Sequence, residues 1–138
     1  MRIHERLRKR YGDWAVVAGA SEGIGAAFAR ELARAGKNLI LVARRPEPLT
    51  ALARQIRLER GVEVTCIPFD LSAQDAAEGL IERLGNIKPG MLVYIAALAP
   101  TSPLAGTSEE ILRQTVTTNI QTPLLLCRHL LAQPTGAQ

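Results

Sequence analysis

Metal-ligating and nucleophilic side chains are scarce in this sequence: its 138 residues include two cysteines and two histidines. Cys66 and Cys127 lack the spacing of a metal-ligand set, so no metal is expected and both read as reduced core residues. His4 and His129 are isolated and carry no catalytic signal. No apolar run approaches the roughly 20 residues needed to cross a bilayer, and the N-terminus lacks the apolar core of a signal peptide. The expectation is a cytoplasmic chain with no transmembrane segment. One Trp, two Tyr and two Phe leave the basic residues without aromatic interleaving. The net charge of +4, sharpened near the start by Arg2, Arg6, Arg8, Lys9 and Arg10, therefore reads as a solvated terminal helix, and no nucleic acid is expected as a partner. Internal repeats and low-complexity tracts are also absent.

With 47% hydrophobic and 22% charged residues, the chain can bury a core and falls in the single-domain range. Residues 1–138 are expected to form one domain, with a basic segment at 1–12 and a tail at 133–138 that frays. The apolar run Trp14 to Ala18 reads as a buried parallel strand. A turn follows, built from Gly19, Ala20, Ser21, Glu22, Gly23, Ile24 and Gly25. Gly19 lets the chain turn, Gly23 leaves no Cβ between the backbone and a pyrophosphate, and Gly25 allows close packing of helix on strand. The open N–H groups of the helix start, with the Ser21 hydroxyl, complete an anion grip. The helix from about Ile24 to Ala35 is expected to carry Ile24, Phe28 and Leu32 on one face and to stop at Gly36. A second strand then spans Asn38 to Ala43.

The alternation continues. Leu49, Leu52, Ala53 and Ile56 mark a helix face, and Val62 to Phe69 reads as a strand ending at Asp70-Leu71. Asp70 also suits the N-cap side of the turn before the next helix, marked by Ala77, Leu80, Ile81 and Leu84. Met91 to Ala97 reads as a fourth strand. Thr107-Ser108-Glu109-Glu110 opens a last helix, in which Leu112, Val116, Ile120 and Leu124 repeat at helical spacing and carry Asn119 with them.

The octet Ala18-Gly19-Ala20-Ser21-Glu22-Gly23-Ile24-Gly25 resembles the T-G-x-x-x-G-I-G motif of the short-chain dehydrogenase/reductase family. The stretches Tyr11–Val17 and Gly36–Arg44 are most similar to the branch containing 3-oxoacyl reductases and 17β-hydroxysteroid dehydrogenases, and the likeness runs from about Tyr11 to Leu131. It implies an α/β, Rossmann-type three-layer αβα fold with a parallel sheet in the order 3-2-1-4, truncated before the later strands. Such a sheet leaves the fourth strand as an open edge. Marginal stability, self-association through that edge or the last helix, or dependence on a missing piece is then expected.

The resemblance also assigns residues. NAD-preferring members place an acidic side chain after the second strand, where this chain has Arg44 and Arg45; two cations there favour NADP(H) as the cofactor. Asp70, with Leu71 beside it, matches the family's adenine position. Tyr94-Ile95-Ala96-Ala97 stands where the family has N-N-A-G, so Ala96 and Ala97 can present backbone to the cofactor while the bracing amides are missing, at an expected cost in stability. Asn119 matches the Asn that holds a water in the family's proton relay, its one carry-over from the catalytic set, and a purely structural role for it is equally open. The family's catalytic Ser and Tyr-x-x-x-Lys are not found: Ala15 lies four residues after Tyr11, and Leu98 four after Tyr94. The implied function is the NADP(H)-binding part of an oxidoreductase acting on a carbonyl or alcohol substrate, oxoacyl or sterol-like, inactive alone. The alternative is a non-catalytic nucleotide-binding module, or a subunit completed by another chain.

Overall fold

The computed structural model describes residues 2–134, so Thr135–Gln138 of the expected frayed tail lie outside the described residues. Along the chain run α1 (Ile3–Tyr11), β1 (Trp14–Ala18), α2 (Gly23–Arg34), β2 (Asn38–Ala43), α3 (Pro46–Arg60), β3 (Val64–Pro68), α4 (Ala76–Leu84), β4 (Met91–Tyr94), α5 (Glu109–Val116) and α6 (Thr122–Ala132). A π-helical segment, Thr117–Gln121, joins the last two helices. The four strands form one parallel sheet in the order β3-β2-β1-β4, as the sequence leads one to expect.

Apart from Asn38 at the start of β2, the central strands are apolar throughout because both faces of the sheet are covered. Ala15, Val17, Leu39 and Leu41 point to the layer of α2 and α3, where Leu49, Leu52, Ala53 and Ile56 are buried. Val16, Ala18, Ile40 and Val42 point the other way, onto Leu80 and Leu84 of α4 and Leu126 of α6. β4 pairs with β1 alone, so its outer edge is open among the described residues. All four of its residues are only half-buried.

Four expectations need correction. In α2 the buried residues are Gly25, Ala26, Ala29, Leu32 and Ala33, while Ile24 is 66% and Phe28 44% exposed. Leu32 is buried as expected, but the N-terminal half of the helix lies so close to the sheet at Gly25 that only small side chains fit beneath it. The strands are also shorter than expected: β3 begins at Val64 rather than Val62 and ends before Phe69, and β4 stops at Tyr94, leaving Ile95–Ala97 in the following loop. In the last helical stretch Val116, Ile120 and Leu124 are exposed. From Thr117 on, the π-helical segment carries one residue more per turn and rotates the face, so that Thr118, Thr122 and Leu126 turn inward in place of Ile120 and Leu124. Val116, which precedes the segment, is exposed already at the end of α5. Cys127 consequently lies exposed on α6, and Cys66 is only half-buried; neither is a fully buried core residue.

Lys37 is fully buried. Its ammonium donates to the carbonyls of Tyr11, at 3.1 Å, and Gly12, capping the C-terminal end of α1 where carbonyls lack helical partners. No residue of α1 is itself buried, so these bonds and the Arg8–Asp13 ion pair at 2.8 Å fasten the basic helix. Burial lowers the Lys37 pKa from its ordinary 10.5, with Asp13 opposing and Arg8 assisting. The unfolded chain then holds this proton more tightly than the native one, and stability gains from Lys37 as pH climbs from the lowered native value towards 10.5. Lys37→Met should lower amide-exchange protection across residues 3–11 by about 10-fold or more, through the loss of the two charged hydrogen bonds, with the sheet amides unchanged. Equal protection in both proteins would show that α1 is held by other contacts.

Candidate functional site

The winding of the sheet reverses between β1 and β4, and a crevice opens beyond the C-terminal ends of those strands, where open α/β sheets bind ligands. The Gly19–Gly25 turn sits there. The N–H groups of Gly19 and Ala20 donate to the Val42 carbonyl at 2.8 and 3.2 Å, and those of Ile95 and Ala96 to the Ala18 carbonyl at 2.8 and 3.1 Å. The ends of β2, β1 and β4 are thereby fixed against one another.

Two glycines are needed for contact and one for access. A Cβ on Gly19, whose φ is +90°, would come within 2.7 Å of the Ala96 nitrogen; a Cβ on Gly25 would fall inside the van der Waals sphere of the Gly19 carbonyl oxygen. Gly23, at φ +58°, faces space with nothing within 4 Å of a Cβ position. Glu22 supplies no side-chain cap to α2, so the N–H groups of its first turn stay open toward that space. A turn of bare backbone below a helix N-terminus, with room for oxygens against it, suits a pyrophosphate. Ile24 stands exposed beside the turn, presenting an apolar surface to whatever the turn holds.

The charged residues flank it. Arg44 and Arg45 follow β2 and are exposed. Arg45 lies 3.7 Å from the carboxylate of Glu22, across the mouth of the turn. Asp70 follows β3 and accepts hydrogen bonds from the Ser72 hydroxyl at 2.6 Å and the Ser72 N–H at 2.9 Å. Those bonds, with a smaller contribution from the Arg44 charge, hold its pKa below the ordinary 3.8 against a small opposing effect of burial. Asp70 thus closes a local turn with Ser72 and does not cap α4, whose N-cap is Asp75. Leu71 is buried, and its carbonyl accepts from Thr122 of α6 at 3.1 Å.

Beyond β4, Asn119 is committed at both ends of its amide: its oxygen accepts from the Leu98 N–H at 2.9 Å, and its nitrogen donates to the Leu98 carbonyl at 2.8 Å. The side chain pins the loop of Ala96 and Ala97 to the π-helical segment. Tyr94 braces the same junction. Its hydroxyl donates to the Thr118 carbonyl at 2.6 Å, and burial pushes its pKa up to about 12. A phenol so placed keeps its proton and its partner at neutral pH, which unfits it for proton transfer. Ser72, Tyr94 and Thr122 were not legible as supports of this site; an isolated hydroxyl carries no periodic or motif signal.

The residues marked by the sequence therefore collect at the C-terminal end of the sheet. A separate open groove of about 840 Å³, bounded by residues 70–75 and by α5 and the π-helical segment, reaches that end of the sheet at Asp70. Among the described residues no cluster of His, Cys, Asp or Glu is arranged to hold a metal ion, and no helix is long and apolar enough to cross a membrane.

Comparison with known proteins follows the same lines. The sequence pattern of the family described as short chain dehydrogenase matches residues 13–137. A 7β-hydroxysteroid dehydrogenase of Collinsella aerofaciens is 34% identical over 135 residues, which cover 95% of this chain and 51% of that protein. A solved structure of 7β-hydroxysteroid dehydrogenase superposes with a TM-score of 0.86 at 34% identity, over 91% of this chain and 50% of that one. A short-chain dehydrogenase from Sphingobium yanoikuyae in complex with NADPH gives a TM-score of 0.77 at 30% identity, over 85% and 46% of the two chains. The chain thus spans about half the length of these relatives.

Proposed function

The chain belongs to the short-chain dehydrogenase family, whose pattern its residues 13–137 match, and from that premise we propose that residues 1–138 are the NADP(H)-holding part of an oxidoreductase for a carbonyl or alcohol substrate. One observation carries the reading: the backbone cradle of Gly19, Gly23 and Gly25 opens at the N-terminus of α2, with Arg44 and Arg45 beside it. NADP(H) supplies hydride chemistry when bound. In this reading Gly19, Ala20, Ser21, Glu22, Gly23, Ile24 and Gly25 surround the pyrophosphate. Arg44 and Arg45 meet the 2′-phosphate, Asp70 and Leu71 the adenine, and Ala96 and Ala97 present backbone to the remainder. Asn119 shapes the loop that carries those alanines. The 7β-hydroxysteroid dehydrogenase relatives support a sterol-like substrate within the wider oxoacyl and sterol class.

Neither tyrosine in the sequence is followed four residues later by lysine, and the Tyr94 hydroxyl is engaged elsewhere. The chain alone should therefore bind NADPH and leave it unconsumed when offered 7-oxo sterols or 3-oxoacyl thioesters. Following NADPH absorbance in such mixtures tests this. Steady oxidation that depends on the ketone would show that proton transfer has a source within these residues.

A further inference from the structure

Of the two cations proposed for the 2′-phosphate, Arg45 already faces a carboxylate of this chain, 3.7 Å away on Glu22. The Glu22 carboxylate has no other partner among the described residues: it caps nothing in α2 and is 81% exposed. We infer that Glu22 is a specificity-setting residue, an internal counter-anion that occupies Arg45 and must give it up when a 2′-phosphorylated dinucleotide binds. This deepens the NADP(H) reading above and rests on it.

The chemistry makes the exchange one-sided without making it free. At 3.7 Å, the Glu22–Arg45 pair is looser than a hydrogen-bonded one, and with both side chains mostly exposed it is a weak surface pair. A phosphate monoester carries close to two negative charges and matches the guanidinium fork with two parallel hydrogen bonds. The phosphate therefore displaces the carboxylate. Glu22 remains tethered to the turn a few ångströms away, however, and opposes the newcomer both by competing for Arg45 and by like charge. With a free 2′-hydroxyl in place of the phosphate the same carboxylate can accept a hydrogen bond. Glu22 thus lowers the discrimination between NADPH and NADH that the two arginines would otherwise create, keeping the site open to both.

Glu22→Gln removes the charge and keeps the shape of an exposed side chain, so the fold and its melting temperature should not move. Calorimetric titration should show NADPH binding tightened by roughly 5-fold, within the range of exposed ion pairs, with NADH binding unchanged or weaker. Because the effect runs through Arg45, most of the gain should vanish in an Arg45→Met background. An unchanged NADPH-to-NADH ratio in Glu22→Gln, or an undiminished gain without Arg45, overturns the inference. If the unmodified chain prefers NADPH and Glu22→Gln alters nothing, only this assignment fails. If the unmodified chain binds neither dinucleotide, the NADP(H) reading fails with it.

Discussion

Gly25→Ala is expected to abolish dinucleotide binding and to destabilise the chain by a net of about 1 kcal/mol, the sum of two opposed effects. Replacing a helical glycine by alanine ordinarily favours the helix by about 1 kcal/mol. Here the new Cβ would overlap the Gly19 carbonyl oxygen and crowd the Ala20 Cα, and neither is the flexible end of a side chain that could swing away. Overpacking of this kind costs about 1–3 kcal/mol and sometimes more, so the clash wins. Relief requires α2 to lift from β1 or Gly19 to shift. Gly19 is tied to Val42 by its N–H and abuts Ala96, so any shift is passed to β2 and β4, and the cradle loses its shape on three sides at once. Urea unfolding and NADPH titration of the variant check both halves. A Gly25→Ala protein of unchanged stability and affinity would mean that the helix is less closely seated than the geometry indicates.

Arg44→Asp is expected to weaken NADPH binding by roughly 10- to 100-fold, the equivalent of one charge-assisted contact of about 1.5–3 kcal/mol, and NADH binding by no more than about 3-fold, the effect of long-range charge at an exposed position. The two dinucleotides differ by a phosphate alone, so the comparison isolates it. Arg44 is exposed and outside the strands, which keeps folding out of the result. Paired calorimetric titrations measure the effect directly, and equal losses for the two cofactors would remove the 2′-phosphate assignment.

The central sheet was readable because buried parallel strands leave an unmixed apolar signal. Trp14–Ala18 and Asn38–Ala43 stand in the structure with the bounds read from the sequence. The glycine turn was readable because its backbone needs glycine at particular points, and Gly19 and Gly25 are indeed in contact positions no side chain could share. The helix start read at Thr107-Ser108-Glu109-Glu110 is also present, with Ser108 capping α5 by accepting from the Ile111 N–H at 3.2 Å. The faces of α2 and α6 were misread for two different reasons. In α2, hydrophobicity ranks Ile24 and Phe28 above Ala26 and Ala29, yet close approach of helix to sheet selects by size rather than by hydrophobicity. Between α5 and α6 a π-helical segment changes the period, and a count at constant 3.6-residue spacing lands on the wrong face from there on. Lys37 left no mark at all: its burial depends on carbonyls 25 and 26 residues away, a tertiary fact with no local pattern. Tyr94 falls between these cases. Its departure from the family's N-N-A-G pattern was plain, but the contact its phenol makes was not, because it reaches a carbonyl 24 residues further on.

The most direct measurement is a pair of calorimetric titrations, NADPH and NADH separately, into the unmodified chain of residues 1–138 under one buffer and salt concentration. Heat rather than Trp14 emission is the better signal, since Trp14 opens β1 at the end remote from the glycine turn, about 13 Å along the strand from Ala18 at the usual rise of a β-strand. Saturable binding of one NADPH per chain, about 10-fold or more tighter than NADH, is the predicted result. Equal affinity for the two, or no heat of binding from a sample whose unfolding transition shows it to be folded, would contradict the assignment of residues 19–25, Arg44 and Arg45 as an NADP(H) site.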